Sequence, residues 1–466
     1  MRRGPRLFGT SGIRGPYPEA VNPALAYKVG LALARMMRGP INIGMDSRKT
    51  SPALAYAAAA GAMAGGSTVR FVGQAPTPVL AYSVRSLGSS GGVMVTASHN
   101  PPGDNGLKIF ESTGMELRSE GEAELEKLVE REELVEWREV GSCEDASGAA
   151  WLYLEELSRR LMERPIGGAK VIVDCANGLS SLYTPTLLER AGFTVMTTNC
   201  NVDPLFAGRY PEPRKDVLEA YVPLLKHFGA VALFAHDGDA DRLSVLTPRR
   251  GFVKQDYIIA LIAARKLEEK RGEVIVSVDV GNSVKRVVEE RGGRLVFARL
   301  GKTHEKLLEH PNALLAAEPW KLIDPSWGPW PDAIYQAALL GELIAEGGDL
   351  DRLLDGVPSF NWARGSIEFA NHSEKEVVFE AVANELLAKY ESRGRTLEID
   401  GLRIDLEDDS WFLVRPSGTE RKLRYYIESP SAERLRDLEE EITSMIRDVA
   451  SLMDAKILGT TVDRGS

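Results

Sequence analysis

The segment of residues 96–108 carries a serine, a histidine and a lysine that could act together on one ligand. Ser98 and His99 follow an apolar run at residues 91–95 that has the length of a buried strand, and Lys108 comes ten residues after Ser98. Pro and Gly at residues 101–103 break the chain after His99, so the hydroxyl, the imidazole and the lysine ammonium are predicted on a loop at the carboxyl end of a strand. Open α/β sheets bind their ligands at that edge.

Three aspartates at alternate positions, Asp237, Asp239 and Asp241, offer a site for a divalent cation. Carboxylates this close repel one another unless a cation neutralises them, and Mg²⁺ prefers a few carboxylates together with a phosphate oxygen. A calcium loop would need more oxygen ligands and a distal glutamate, which this segment does not offer. A serine loop, a lysine and a magnesium loop together indicate phosphoryl transfer.

Alternating strands and helices must position these residues. Apolar strands that end on polar loop residues are predicted at residues 41–45, 68–72, 91–95, 170–174, 230–235, 274–278 and 313–317. Helical segments at residues 52–63 and 78–87 separate the first of these strands. The alternation is typical of α/β domains with a largely parallel sheet, and it predicts three such units of about 100 to 130 residues.

The last hundred residues have a different pattern. A helix at residues 376–390 precedes short strands near Leu397, Leu402, Trp411 and Leu423, and a long charged helix follows at residues 432–452. This predicts a smaller α+β domain, with a frayed tail after Leu458. The predicted domains are residues 1–145 with the serine loop, 146–250 with the metal loop, 251–366, and 367–466.

The length, the net charge and the apolar runs of the chain limit the classes of protein to which it can belong. The chain has 466 residues, too many for one core, and a net charge of −10 that argues against nucleic acid as a partner. Its apolar runs are shorter than a membrane span, and the basic N-terminus lacks a signal core, so we expect a cytoplasmic protein without a membrane partner. Cys143, Cys175 and Cys200 have no metal-type spacing and are predicted to be buried or incidental thiols.

Four motifs in order give the chain its resemblance to a known family. They are Phe-Gly-Thr-Ser-Gly-Ile-Arg-Gly at residues 8–15, Thr-Ala-Ser-His-Asn-Pro at 96–101, Asp-Gly-Asp-Ala-Asp-Arg at 237–242 and Arg-Pro-Ser-Gly-Thr-Glu at 415–420. With these motifs the chain resembles the α-D-phosphohexomutase superfamily, the phosphoglucomutases and phosphomannomutases, over nearly its whole length. The resemblance implies three similar α/β domains with mixed, largely parallel sheets and a smaller α+β C-terminal domain around a central cleft.

The resemblance also implies catalytic roles. Ser98 carries the phosphoryl group, and its phosphate completes the magnesium site formed by the three aspartates. His99 positions the phosphate, and Lys108 is an acid/base or a charge stabiliser near the transferring group. Arg242 reaches a phosphate of the substrate or of the serine. A Ser-His-Asp hydrolase is the rival chemistry, but the chain lacks Gly-x-Ser-x-Gly at this serine.

A second anion site is predicted in the C-terminal motif. Arg415 offers a guanidinium fork, the hydroxyls of Ser417 and Thr419 donate, and Gly418 allows close approach to the backbone. By resemblance this loop holds the phosphate that is not reacting. Arg421 stands where the family often has proline.

The sugar-binding loop departs from the family pattern. Members usually have Gly-Glu-x-Ser-Gly-His, whereas residues 317–322 here are Ala-Glu-Pro-Trp-Lys-Leu. Only Glu318 is retained, and in the family this glutamate accepts hydrogen bonds from two sugar hydroxyls. Lys321 could replace lost charge, and Trp320 could either stack on the sugar ring or pack in the core.

Two arginines fall in polar loops near the N-terminus. Arg14, in the first motif, is predicted to contact the ligand in the active site. Arg48 follows the strand at residues 41–45 and is expected to form a surface or interdomain ion pair.

The resemblance implies a magnesium-dependent phosphohexomutase acting on glucose and/or mannose phosphates. Phosphorylated Ser98 would give its phosphoryl group to C6 of a hexose 1-phosphate, and the hexose 1,6-bisphosphate would then return its C1 phosphate to Ser98. The partners are then these sugar phosphates, and the protein is expected to be a monomer or a homodimer. The alternatives are a phosphoglucosamine mutase, or outside this class a sugar-phosphate phosphatase or a non-catalytic sugar-phosphate binder.

Overall fold

The computed structural model describes residues 7–9, 12–161, 168–418 and 420–465, except for the side chain of residue 161. The described residues within Met1–Ile258 and Leu307–Gly356 form one compact unit, and those within Ile259–Lys306 and Val357–Ser466 form the other. Within the described part of the chain, no helix is long and apolar enough to cross a membrane.

The first sheet carries the serine loop. Its elements are β1 Ile13–Pro16, α1 Pro23–Met37, β2 Ile41–Met45, α2 Ser51–Ala64, β3 Val69–Gln74, α3 Thr77–Ser86, β4 Gly91–Val95, β5 Asp104–Glu111, α4 Ser119–Val129, β6 Cys143–Asp145 and α5 Ala149–Leu161. The strand order is β1-β5-β4-β2-β3-β6, antiparallel on the β1 side and parallel from β4 to β6. The central strands β2 and β4 are buried along their whole length, which explains their apolar sequences.

Two glycines let α1 and α2 pack closely. A Cβ on Gly30 would lie 2.0 Å from the carbonyl oxygen of Ala58, and one on Gly61 would lie 1.9 Å from that of Tyr27. The alanine-rich α2 therefore meets α1 almost backbone to backbone, beside the apolar core of this sheet.

The second sheet carries the metal loop. Its elements are β7 Lys170–Asp174, α6 Thr184–Arg190, β8 Thr194–Thr198, α7 Lys215–Leu218, α8 Val222–Phe228, β9 Ala232–His236, β10 Leu243–Thr247, β11 Gly251–Phe252 and α9 Gln255–Glu269. The order is β11-β10-β9-β7-β8, in which β8, β7 and β9 are parallel and the remaining pairs antiparallel. Short 3₁₀ turns lie at Leu179–Leu182 and Glu219–Tyr221.

The next segment of the chain, residues 273–355, belongs partly to one unit and partly to the other. The second unit contains β12 Glu273–Ser277, α10 Asn282–Glu290 and β13 Arg294–Ala298, with β12 and β13 parallel. The chain continues through α11 Thr303–Glu309 into β14 Ala313–Glu318, β15 Lys321–Ile323, α12 Ala333–Gly347 and α13 Leu350–Asp355. Strands β14 and β15 form a tight antiparallel hairpin in the first unit, with Glu318 opposite Lys321.

The C-terminal region is built on an antiparallel sheet. Its elements are β16 Asn361–Phe369, α14 His372–Tyr390, a 3₁₀ turn Glu391–Arg393, β17 Gly394–Leu397, β18 Leu402–Leu406, β19 Trp411–Pro416, β20 Lys422–Ser429, α15 Ala432–Leu452 and β21 Ile457–Gly465. The strand order is β17-β18-β19-β20-β16-β21, and α14 and α15 cover an apolar core with this sheet. The predicted α/β fold with mixed sheets and a C-terminal α+β domain is confirmed.

Two predictions are wrong. The tail after Leu458 is not frayed, because β21 pairs with β16 along the edge of the C-terminal sheet. Cys175 and Cys200 are not free thiols, because they form a disulfide bond between the loops that follow β7 and β8. Cys143 is the exposed free thiol among the described residues.

Candidate active site

The serine loop begins where β4 ends at Val95. Ser98 is fully buried and adopts a left-handed backbone conformation with φ of +54°, which is uncommon for a residue other than glycine. Its Oγ donates a hydrogen bond to Oδ2 of Asp237 at 2.7 Å, and its backbone N–H donates to the hydroxyl of Thr96 at 2.9 Å. The turn therefore directs the serine hydroxyl to the metal loop, residues 237–242.

The metal loop connects β9 to β10, and the first residues of two helices, α3 and α12, donate backbone hydrogen bonds to it. The backbone N–H of Thr77 donates to the carbonyl of Asp239 at 2.9 Å, and that of Ala333 donates to Ala240 at 3.2 Å. Asp237, Asp239 and Asp241 are all fully buried, and each offers a carboxylate oxygen within 4.8 Å of the others. Burial, with repulsion from the other two carboxylates, raises the pKa of Asp237 well above its usual range.

Two lysines contact this carboxylate cluster, and one of them, Lys108, lies on the strand β5 and not on the predicted loop. The Nζ of Lys108 lies 2.6 Å from Oδ2 of Asp239 and 2.6 Å from Oδ2 of Asp241, and the Nζ of Lys321 lies 3.0 Å from the same oxygen of Asp241. Burial acts to lower the pKa of Lys108, but Asp239 and Asp241 outweigh it, so the net pKa is raised. Lys108 is therefore an ammonium in this arrangement.

The residues present fit a divalent cation. Among the residues that the structure describes, Oδ1 of Asp239 and Oδ1 of Asp241 are buried and have no hydrogen-bond partner. The lysines occupy the Oδ2 atoms, which leaves both Oδ1 atoms available as ligands, together with the carboxylate of Asp237. A donor set made only of oxygen atoms suits a hard cation rather than a thiophilic metal.

His99 and the arginines lie around this cluster. Nδ1 of His99 is 3.3 Å from Oγ of Ser98, and Nε2 of His99 is 3.9 Å from the carboxylate of Glu212. Burial, with the positive charges of Arg242 and Arg14, lowers the pKa of His99 far below its usual range, so the imidazole is neutral. Arg242 is 3.6 Å from Glu212, and the charge of Arg14 also acts on Lys108.

The hairpin of β14 and β15 brings the atypical loop, residues 317–322, into contact with the metal loop. Glu318 is buried at the end of β14, and Lys321 begins β15 with its ammonium on Asp241. Trp320 has a φ of +70° and accepts a hydrogen bond at its carbonyl from the N–H of Leu243, just after the metal loop. The guanidinium of Arg242 lies 6.0 Å from the centre of the Trp320 ring. Lys321 therefore contacts the metal loop directly.

The second anion-binding motif forms its own cluster in the other unit. Arg415 is largely buried at the end of β19, 3.1 Å from Asp400, and its Nε has no partner within the described part of the chain. Ser417 is buried and its hydroxyl accepts from the N–H of Glu420 at 3.2 Å. A Cβ on the exposed Gly418 would meet nothing within 4 Å, so its backbone is open to a ligand. Thr419 lies outside the described residues.

The role predicted from the sequence for one buried cation, Arg48, is wrong, and a second one, Lys375, is not identified from the sequence. Arg48 is neither on the surface nor in an interdomain ion pair, because it is buried, pairs with Asp46 and donates to carbonyls of the serine loop. Lys375, buried on α14, donates to the carbonyl of Ser417 at 2.5 Å. The position of Arg48 in a polar triplet after β2 was a usable signal, whereas nothing in α14 marks Lys375.

Comparisons with known proteins agree with this geometry. Family models described as phosphoglucomutase/phosphomannomutase match alpha/beta/alpha domain I at residues 5–136, alpha/beta/alpha domain II at 152–251 and the C-terminal domain at 371–445. The chain is 38% identical to a phosphopentomutase of Thermococcus kodakarensis over 461 residues, which cover 97% of this chain and all of that protein. It is 36% identical to a probable phosphoglucosamine mutase of Methanopyrus kandleri, over 95% of this chain and 98% of that one.

A solved structure gives the same result. A phosphoglucomutase/phosphomannomutase family protein from Burkholderia thailandensis is similar with a TM-score of 0.83 and 25% identity, over 96% of this chain and 98% of that chain. The serine loop, the buried aspartates and the C-terminal motif lie in regions that these comparisons cover. The chain therefore belongs to the phosphoglucomutase/phosphomannomutase family of the α-D-phosphohexomutase superfamily, and it is an isomerase that transfers a phosphoryl group within its substrate.

Proposed function

We propose that the protein is a magnesium-dependent phosphohexomutase that interconverts hexose 1-phosphate and hexose 6-phosphate through a phosphoserine at Ser98. The observation that carries the proposal is the distance of 2.7 Å between Oγ of Ser98 and Oδ2 of Asp237 in a fully buried cluster. A serine placed there can hold a phosphoryl group against a cation bound by carboxylates. The neighbouring buried oxygen atoms support the same role.

The metal would be held by Asp237, Asp239 and Asp241 with an oxygen atom of the phosphorylated Ser98. When bound, Mg²⁺ would supply positive charge that neutralises the phosphoryl oxygens during transfer. The choice of Mg²⁺ rests on the small number of carboxylates and the expected phosphate ligand.

The remaining residues would bind and orient the transferring group. Lys108, an ammonium between two carboxylates, adds positive charge near Ser98. Arg242 and Arg14 offer guanidinium groups to phosphate oxygens. His99, neutral and 3.3 Å from Oγ of Ser98, keeps the phosphoryl group in place without adding a charge of its own.

The reaction would pass through a hexose 1,6-bisphosphate. The C6 hydroxyl oxygen of the hexose 1-phosphate bonds to phosphorus as the bond from Ser98 Oγ breaks, and the proton of that hydroxyl ends on Ser98 Oγ, which restores the serine hydroxyl. After the bisphosphate turns over, its C1 phosphate returns to Ser98. The phosphate that is not reacting would lie against Arg415, Ser417, Gly418 and Thr419, in either orientation of the sugar.

The preferred sugars in this proposal are glucose and mannose. Glu318 would accept hydrogen bonds from two neighbouring hydroxyls, at C3 and C4, where glucose and mannose have the same configuration. Galactose is inverted at C4, and a site that hydrogen-bonds a hydroxyl penalises its misplacement because its own polar group is left unpaired. Lys321 in the same hairpin disfavours an amino sugar, because two cations would be brought together.

A pentose phosphate is the second candidate substrate. The relative from Thermococcus kodakarensis, 38% identical over nearly the whole chain, is named a phosphopentomutase. The hairpin that departs from the hexose-binding pattern at Trp320, Lys321 and Leu322 is where a different sugar would be accommodated. In this case the phosphoserine chemistry is unchanged and the sugar differs.

The four predicted domains are part of the proposal. Matches to the family's domain I, domain II and C-terminal domain support the regions 1–145, 146–250 and 367–466. Residues 251–366 would form the third domain, which carries the hairpin with Glu318.

A coupled assay with matched variants tests the function. Glucose, mannose, galactose, glucosamine and ribose 1-phosphates are supplied with Mg²⁺ and a trace of the matching bisphosphate, and intact mass reports the phosphate on the protein. We expect turnover of glucose and mannose 1-phosphates, a phosphate on wild type and none on Ser98→Ala. Near-wild-type turnover by Ser98→Ala would refute the phosphoserine, faster turnover of ribose 1-phosphate would favour the second candidate, and release of free phosphate in excess would indicate a phosphatase.

A further inference from the structure

All three nitrogen atoms of the Arg48 guanidinium donate hydrogen bonds, to carbonyls of the serine loop or to Asp46. Nη2 donates to the carbonyls of Ser98 and Asn100, each at 2.8 Å, and Nη1 donates to those of Pro101 and Asp104. The remaining nitrogen, Nε, donates to the carboxylate of Asp46 at 3.0 Å. One buried cation thus satisfies four carbonyl groups of a single loop, including that of the candidate nucleophile.

The same guanidinium also contacts Phe206, a residue that packs against the metal loop. It lies 4.9 Å from the centre of the Phe206 ring, in cation–π contact. Phe206 is buried, and its ring packs on Gly238, where a Cβ would lie 3.1 Å from the ring and 2.6 Å from the carbonyl oxygen of Ser98. Gly238 stands between two candidate metal ligands. Arg48 and Phe206 therefore occupy the junction between the loop that carries the serine and the loop that carries the aspartates.

We propose that Arg48 is a positioning residue for phosphoryl transfer, which holds the serine loop in its left-handed turn and, through Phe206, sets its distance from the metal loop. The inference rests on the phosphoserine role proposed for Ser98. A non-glycine residue with a φ of +54° persists only where its surroundings fix it, and the carbonyl of that residue is one that Arg48 binds. A small displacement of Oγ would be costly, because transfer requires aligned reacting atoms.

The chain offers a matched control for a purely structural role. Arg403 is also fully buried, pairs with an aspartate two residues away, Asp405, at 2.9 Å, and donates to the carbonyls of Val278 and Val280. Its guanidinium likewise stacks on an aromatic ring, that of Trp411. This arginine and these partners all belong to the other compact unit.

The test compares Arg48→Lys, Phe206→Leu and Arg403→Lys with wild type. For each protein, kcat and KM are measured on the sugar 1-phosphate that wild type turns over fastest, with Tm and the phosphate on Ser98 by intact mass. We expect Arg48→Lys to lose about 10²-fold in kcat with KM within about threefold of wild type. Phe206→Leu, which keeps the bonds of Arg48 to the loop, should lose about tenfold in kcat. Arg403→Lys should lower Tm with kcat within about threefold of wild type.

Each outcome decides the inference. A folded Arg48→Lys with wild-type kcat, or with a loss no larger than that of Arg403→Lys, would overturn it. If Arg48→Lys does not fold, Phe206→Leu decides alone: reduced kcat at unchanged KM supports the positioning role, and wild-type kcat refutes it. A wild-type protein that carries no phosphate on Ser98 even after incubation with the bisphosphate, and still turns over sugar phosphates, would refute the proposed phosphoserine, and with it the role of Arg48, whatever the variants do.

Discussion

Replacing Lys108 with methionine would remove the cation that holds two of the candidate metal ligands. The ammonium is 1% exposed and lies 2.6 Å from both Asp239 and Asp241, which are fully buried. Methionine has nearly the same length and leaves no large cavity, so the change is mainly one of charge. Lys108→Met would leave three buried carboxylates with Lys321 as the remaining lysine in contact with them, on Asp241 alone.

The expected loss of stability follows from this burial. Removing one partner of a buried ion pair costs about 3 to 5 kcal/mol, because the other charge stays in a place where water cannot solvate it. For a compact unit of this size, 1 kcal/mol corresponds to about 2 to 4 °C in Tm. We therefore expect the metal-free variant to melt about 6 to 20 °C below metal-free wild type.

Magnesium should restore much of this loss. A bound cation would take over the neutralisation that Lys108 provides, so the variant should gain more from Mg²⁺ than wild type does. Ligand present at a hundredfold excess over its Kd stabilises the folded state by about 2.7 kcal/mol. The assay is thermal unfolding of both proteins in chelator and across a series of Mg²⁺ concentrations, at constant ionic strength.

Lys375→Met is the matched control. Lys375 is also 1% exposed, but it donates to the carbonyl of Ser417, and its ion pair is with the single exposed carboxylate of Glu376. This variant should lose stability in chelator while its response to Mg²⁺ equals that of wild type. The proposed role of Lys108 in holding the carboxylate cluster would be refuted by either of two results. One is that Lys108→Met is as stable as wild type in chelator, and the other is that its response to Mg²⁺ equals that of Lys375→Met.

Three further changes test other parts of the molecule. Arg415→Ala should lower kcat/KM by an amount equivalent to about 2 to 4 kcal/mol, mostly through KM, and unchanged kinetics would exclude Arg415 from the phosphate site. Opening the bond between Cys175 and Cys200 with reductant, or by a double change to serine, should cost about 3 to 4 kcal/mol for a loop of this length, and an unchanged Tm would contradict a stabilising disulfide. Lys321→Gln should raise kcat/KM for glucosamine 1-phosphate relative to glucose 1-phosphate, because a cation that repels the amino group is lost; an unchanged ratio would count against that repulsion.

The sequence predicts the sheets well where the strands are buried on both faces. The segment predicted at residues 41–45 is β2, and the one at 91–95 is β4, because a central parallel strand must be apolar throughout. The strand β21 escaped prediction because it is an exposed edge whose pairing partner, β16, lies nearly one hundred residues earlier in the chain. Its threonines and glycines indicate a strand only when that partner is known.

The site shows the same division between local and long-range information. Ser98 and the three aspartates could be found because each motif is contiguous, and the structure brings the two motifs to within 2.7 Å. The polar triplet after β2 draws attention to Arg48 but does not reveal its contacts, since these are with carbonyls about fifty residues away that have no side-chain signature. The disulfide could not be predicted for a similar reason, because its two cysteines follow different strands that become neighbours only in the folded sheet.

The atypical hairpin is not free to vary independently of the metal loop. Lys321 pairs with Asp241, the carbonyl of Trp320 accepts from the N–H of Leu243, and the ring of Trp320 lies beside Arg242. A substitution made in the hairpin to change the sugar would therefore also change the charge and the position of a candidate metal ligand. Because such coupling is reciprocal, a ligand that displaces Lys321 from Asp241 must alter the affinity of the metal site, and the metal must alter the affinity for that ligand by the same factor. If Lys321 acts on the sugar as proposed, sugar preference and metal affinity have to be measured together, because the same lysine pairs with the candidate metal ligand Asp241.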